Sequence, residues 1–286
     1  MKFKYLIIAF SIIIVIIIFI TFFLPSQLSA VSFTEGSGSV EASILSAVNF
    51  KYIIFPLLVF IALLLVCVSL YFIFNYRLLS LLEKEDWPAL AYYLEQQIYT
   101  KSRYSGRNVR LLASSYLVIS DYKSVIKLES KVHMAKPSLI SQNALVFGAA
   151  RILDGNHQEA VSFYRSNLEK CIKTDKEWVR WFSGFSELLA GLYPAAEAEF
   201  SHMAVSSKDA IISGLSAYFL NNHLKKKSFI SEKCLKVSET GRERVIKALK
   251  TEAGWNKEVK KAGNDIHIAI IRKYVEEAGK WIFPAV

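Results

Sequence analysis

Five histidines and three cysteines are the side chains here best suited to metal binding or nucleophilic chemistry. His133, His157, His202, His223 and His267 are never paired at i and i+4, and none has further ligands at zinc spacing. Cys67, Cys171 and Cys234 lie far apart, which excludes a CxxC redox or metal motif and a disulfide-rich secreted scaffold. No phosphate-binding Gly-rich loop, GxGxxG or GxSxG occurs. Glu197 and Glu199 fall in a helical pattern, where a solvated face accounts for them. The chain therefore reads as a protein without enzymatic activity, and no cofactor or metal site is expected.

Recognition chemistry is the concentrated kind. The stretch from Glu177 to Ala190 carries Trp178, Trp181, Phe182, Phe185, Leu188 and Leu189. Spacings of 3 and 4 put Trp178, Trp181 and Phe185 on one helical face, with Phe182 on a neighbouring one. Trp and Arg are frequent anchors of protein interfaces. Two readings stand: an open partner site, or an apolar face covered when the C-terminal helices fold back.

The formal net charge of +10 comes from 35 basic and 25 acidic residues. Lys225, Lys226, Lys227 and the group Lys257, Lys260 and Lys261 carry part of the excess. They are either solvated or laid against anionic lipid, where each cation contributes about 1 kcal/mol. Nucleic acid is not expected, because no aromatic-interleaved basic stripe or nucleic-acid module accompanies them.

The elements that must position these residues begin in a membrane. Residues 1–75 hold only five charged side chains, Lys2, Lys4, Glu35, Glu41 and Lys51. Tyr5 to Leu24 is an uncharged run of 20 residues, roughly 30 Å as a helix, and Tyr52 to Asn75 is a second of 24. The Ser/Gly-rich loop 25–51 joins them as a flexible linker. A cleaved signal is the alternative for the first run, but its apolar stretch exceeds the usual length of about 7–15 residues. Lys2 and Lys4 precede the first span, and Arg77 and Lys84 follow the second, while the loop holds only Lys51. That bias predicts a multi-pass protein of a bacterial-type inner membrane with both termini in the cytoplasm. Residues 1–75 are thus the anchor and 76–286 a separate helical domain.

In that domain a spacing recurs. Trp87, Tyr122, His157 and Tyr193 are separated by 35, 35 and 36 residues. Each follows a turn-like pair: Glu85-Asp86, Ser120-Asp121, Gly155-Asn156 and Gly191-Leu192. Small residues Ala113, Gly148 and Gly184 precede the last three turns, and Glu129, Tyr164 and Phe200 follow them at one equivalent place. The layout resembles the tetratricopeptide repeat family of helix–turn–helix units, most clearly over 105–205. The resemblance implies that Gly148 and Ala160 meet where the two helices of a hairpin cross. It also implies that Tyr164 and Phe200 fill the gap to the next hairpin. The first helices would line a concave groove for a partner segment, reached by Arg107, Arg110, Leu145, Trp178, Trp181 and Phe185.

Residues 206–286 read as helices that cap such a solenoid. Thr240 and Glu243 suggest a capping box, and Gly254-Trp255-Asn256 and Ala262-Gly263-Asn264 suggest breaks. Asn264-Asp265 would start one last helix with Ile268, Ile271, Val275, Ala278 and Ile282 along a stripe. The expected fold is all-α: a two-helix transmembrane hairpin, then a tetratricopeptide-like α-solenoid with a helical C-terminal cap. The expected role is a membrane-anchored scaffold for a protein partner. Two alternatives stay open: a periplasm-facing part of an envelope or flagellar-motor-associated assembly, and a regulatory or biogenesis subunit of a membrane enzyme complex.

Overall fold

The computed structural model describes residues 55–225, 232–263 and 265–284. Every regular element among them is a helix and none is a strand, so the fold is all-α. The expected span 5–24, the loop 25–51, the first residues of the second span, and Lys226 and Lys227 lie outside the described residues. Contacts divide the chain into Met1–Asp86 and Trp87–Val286.

Helix α1, Phe55–Glu83, belongs to the first unit. Pro56 sits in its first turn, where the missing amide has no helical partner to lose. Leu57, Phe60, Leu63 and Phe74 are each more than half exposed, while Ser69 and Leu78 on the same helix are buried. Its stretch Val59–Glu83 has 25 residues, long and apolar enough to cross a hydrocarbon layer of roughly 30 Å. It is the one such helix among the described residues. It does not stop at the end of the apolar run but continues to Glu83, where Glu85 takes a left-handed φ of 54°.

The second unit opens with α2, Trp87–Glu95, which runs into a π-helical turn at Gln96–Thr100. Then come α3 (Gly106–Val118), α4 (Tyr122–Ala135), α5 (Ser138–Gln142), α6 (Ala144–Leu153), α7 (His157–Asn167), α8 (Lys176–Leu189) and α9 (Tyr193–Ser206). Helix α10 (Ala210–Phe219) passes into a π-helical turn at Leu220–Leu224, and α11 (Glu232–Leu249), α12 (Glu252–Ala262), α13 (Ile266–Ile270) and α14 (Arg272–Ile282) follow.

Three turns here have one geometry. Ser120, Gly155 and Gly191 are left-handed, with φ of 60°, 81° and 78°. The next amide reaches back to the helix before it: Asp121 N to Tyr116 O at 2.8 Å, Asn156 N to Arg151 O at 2.9 Å, and Leu192 N to Glu187 O at 2.8 Å. This bond satisfies a carbonyl that the helix end would leave open. Asp86 N makes the same bond to Leu81 O at 3.2 Å at the end of α1. A side chain starts the helix after the first of these turns, where Asp121 accepts from Ser124 N at 3.1 Å.

Glycines set how closely the pairs approach. A Cβ on Gly148 would lie 2.2 Å from the Tyr164 ring, and one on Gly184 would lie 3.0 Å from Glu199 Cβ and 3.4 Å from the Phe200 ring. The atoms nearest to Gly148 are those of the Tyr164 ring, and Ala160 on the same helix as Tyr164 is fully buried. The same tyrosine stacks on Phe182 of α8 with ring centroids 5.8 Å apart. Glu129 stands at the equivalent place in α4, and there a carboxylate replaces the ring. It takes two hydrogen bonds from Arg151, at 2.7 and 3.1 Å.

The C-terminal helices depart from the sequence reading in three places. Thr240 caps nothing; it lies inside α11 and donates to Lys236 O at 2.9 Å. The helix continues there because Gly241 packs against Ala204 and Ala217, each 3.1 Å from its Cβ position. The break expected at Gly254 falls earlier, at Lys250, whose φ is 63°, and Thr251 then caps α12 through Gly254 N. The single last helix is divided at Ile271, with φ −103° and ψ 14°, into α13 and α14.

Candidate functional site

Within the second unit α3 packs on α6, α6 on α8, and α8 on α10, so these helices form one continuous row. The side of this row that α13 and α14 pack against is its inner face. Helix α8 supplies its aromatic centre because Trp178, Phe182 and Phe185 recur every three to four residues and point the same way. Trp178 is 8% exposed and Phe185 4%, so neither lines an open surface. The C-terminal helices cover them. The His267 ring stands 4.8 Å from Trp178 and 6.3 Å from Phe182. Tyr274 stands 5.7 Å from Phe185 and 5.1 Å from Phe219 of α10. Helix α13 also packs on α6, and α14 on α10.

Trp181 corrects the expected grouping. It is fully buried and turns away from the tail, stacked on Phe185 at 5.3 Å and against Phe200 and Phe219 at 5.8 and 5.6 Å. It is core between α8, α9 and α10. Leu145 is also buried, at 7% exposure, and its carbonyl accepts from the Tyr164 hydroxyl at 3.3 Å. Arg107 and Arg110 are exposed on α3. Arg110 does join the row: it donates to Asn143 Oδ1 at 3.2 Å and Gln142 O at 3.1 Å, and lies 3.6 Å from Asp175 at the start of α8. The expected six residues thus part into a core residue (Trp181), a packed edge (Leu145, Trp178, Phe185) and an exposed basic rim (Arg107, Arg110). Lys225 is exposed just beyond the second π-helical turn.

Electrostatics follow burial. Burial pushes the His267 imidazole below its ordinary 6.5; Asp265 and Asp175 pull the other way, and Arg110 adds to the lowering. Its Nε2 is buried without a hydrogen-bond partner. A neutral ring against Trp178 and Phe182 fits that setting, since an unpaired buried charge costs more than an unpaired buried dipole. Burial likewise raises the Asp209 carboxyl, although it accepts from Ile211 N and Ile212 N and from the Trp178 side chain. Glu187 is raised by burial against the opposing pull of Arg165, which reaches Glu187 Oε1 at 2.6 Å. A cleft of about 730 Å³ borders the other edge of Trp178, walled by Lys173, Glu177, Lys208, Asp209 and Lys261.

Chemically the row holds ring faces that the tail covers, flanked by charges of both signs. Among the described residues no three His, Cys, Asp or Glu side chains stand together as a ligand set. Sequence reasoning missed His267, Tyr274, Phe219 and Asp175. His267 and Tyr274 lie seven residues apart, two helical turns, and that spacing was the available signal. The apolar stripe through Ile268, Ile271 and Val275 is the stronger periodic signal in the same stretch.

The family described as "Uncharacterised Treponema protein" matches residues 124–284, which include α8 and the tail helices that cover it. An "Uncharacterized protein" of Treponema pallidum (strain Nichols) is 28% identical over 236 residues, 79% of this chain and 74% of that relative. No solved structure matches the chain. The family match takes in more than half of the residues, and the chain belongs to that Treponema family.

Proposed function

We propose that this member of the Treponema family is a membrane-anchored scaffold that holds a protein partner on the inner face of its helical unit. The unit is read as helix–turn–helix repeats, similar to tetratricopeptide repeats and closed by the C-terminal helices. One observation carries the reading: the same left-handed turn recurs at Glu85, Ser120, Gly155 and Gly191. It is joined by glycines closely approached from the following helix, Gly148 by the Tyr164 ring and Gly184 by Glu199 Cβ and the Phe200 ring. Stacked hairpins present extended faces, and extended faces suit polypeptide segments better than small molecules. Helix α1 serves as anchor, in a multi-pass inner-membrane arrangement with both termini in the cytoplasm. Lys225, Lys226 and Lys227 rest on anionic lipid. The reading assigns no catalytic step and no cofactor.

Crosslinking in native membranes, followed by affinity purification and mapping of crosslinked residues, tests it. The expected crosslinks to other proteins fall in 87–286. Crosslinks confined to the apolar N-terminal part would favour a regulatory or biogenesis subunit acting through its spans. Orientation is read separately with Lys123→Cys, an exposed site on α4. Maleimide labelling of that cysteine from the periplasmic side would move the domain into an envelope assembly instead.

A further inference from the structure

The tail has three parts held in different ways. Helix α12 is locked by Trp255, which fills the Cβ positions of Gly214 at 2.7 Å and of Gly279 at 2.6 Å. Helix α14 is locked by the same indole, by Ile282 against Gly214 at 2.8 Å, and by Glu277 accepting from the Tyr218 hydroxyl at 2.7 Å. Between them lies α13, five residues long. Asp265 precedes it in extended conformation and makes no side-chain capping bond. Its hold on the inner face is ring and aliphatic contact, through His267 on Trp178 and Phe182 and through the buried Ile268 and Ile271. The His267 Nε2 has no hydrogen-bond partner there. The contacts that hold α12 and α14 do not involve α13, so opening of α13 alone would not free the rest of the tail.

We propose that the segment Asp265–Ile271 is an internal ligand of α6 and α8, and that a helical peptide of a partner protein binds this face by displacing it. The partner chemistry is written in the segment itself: an imidazole or aromatic ring followed by aliphatic side chains one and four residues later, as in His267, Ile268 and Ile271. Such a peptide places its ring on Trp178 and its aliphatic groups against α6. Arg110 and Asp175, 3.6 Å from each other, flank the site at its rim. This inference rests on the inner face being the recognition surface.

The test uses the full chain in lipid nanodiscs. Hydrogen exchange of 265–271 is followed first, against α8 and α14 in the same sample. A fluorescein-labelled peptide of residues 265–275 is then titrated into wild type and into Ile268→Asp, which puts a charge under the segment. Exchange of 265–271 is expected to be about tenfold or more faster than in either helix. The peptide should bind Ile268→Asp about tenfold or more tighter than wild type, because occupancy by the tail divides the apparent affinity by the open fraction. A scrambled peptide should bind neither. Exchange as slow as in α8 and α14, or loss of the whole fold in Ile268→Asp, makes the segment integral core and overturns displacement, and the proposed recognition face is then confined to its exposed rim at Arg107 and Arg110. Fast exchange with no peptide captured by the folded variant overturns both.

Discussion

Gly148 and Gly214 use the same device and draw on different parts of the chain. Each lacks a side chain so that a ring can reach the helix backbone. At Gly148 the ring is Tyr164, from the next helix of the same pair. At Gly214 it is Trp255 of α12, assisted by Ile282 of α14, and the following helix α11 supplies none of the three nearest atoms. The first contact closes a short loop, and its entropic cost is correspondingly small. The second ties α10 to a distant part of the chain. One device thus joins helices that are neighbours in sequence and, with a borrowed ring, helices that are not.

If that contrast is right, the two contacts fail in different places. Trp255→Ala should cost about 3–5 kcal/mol, the loss expected for a fully buried indole. Hydrogen exchange should speed in α10, α12 and α14 and leave α6 and α7 little changed. Equal acceleration throughout would erase the distinction between the tail and the hairpins. Trp181→Ala should cost a similar amount, since Trp181 is buried among Phe185, Phe200 and Phe219. Thermal melts of the full chain read both losses.

Gly148→Ala should cost about 1–3 kcal/mol, because the added carbon meets the Tyr164 ring and the ring must move. Here exchange should quicken in α6 and α7 and spare α14. Combining it with Tyr164→Leu should recover part of the loss, and a coupling of about 0.5–3 kcal/mol would show that the two side chains share one space. Purely additive losses would remove Tyr164 as the partner of Gly148.

A smaller effect sharpens the tail side of the comparison. His267 is held below its ordinary 6.5 when docked, so the undocked segment binds protons more readily. Docking is therefore fully supported above about pH 6.5 and weakens as pH falls through the docked value. Exchange of 265–271, corrected for its intrinsic pH dependence, should rise relative to α14 on going to pH 5. His267→Asn should flatten that rise. Smallest of all, Lys123→Ala on the exposed side of α4 should stay within about 0.5 kcal/mol in the same melts.

The places where the sequence reading held and slipped follow the range of the contacts. Ser120-Asp121, Gly155-Asn156 and Gly191-Leu192 were readable as turns because a left-handed residue and a helix start are set by neighbours in the chain. The apolar helix α1 was readable because its length and composition are properties of the residues alone. Thr240 misled because a capping signal is also an ordinary helix residue when Gly241 lets the helix pack closely. Trp178, Trp181 and Phe185 shared a face by spacing, yet one turned inward and two met the tail.

By itself, then, the sequence determined the helical class, the apolar length of α1 and the positions of the hairpin turns, all of which depend on residues within a few turns of one another. Only the tertiary structure decided that His267 and Tyr274 lie on Trp178, Phe182, Phe185 and Phe219. Periodicity tells which side of a helix is apolar. It does not tell what covers that side, because any apolar surface of fitting shape lowers the free energy by removing the same area from water. Among the surfaces this chain offers, the choice fell to the tail because Trp255 seated between Gly214 and Gly279 holds it there.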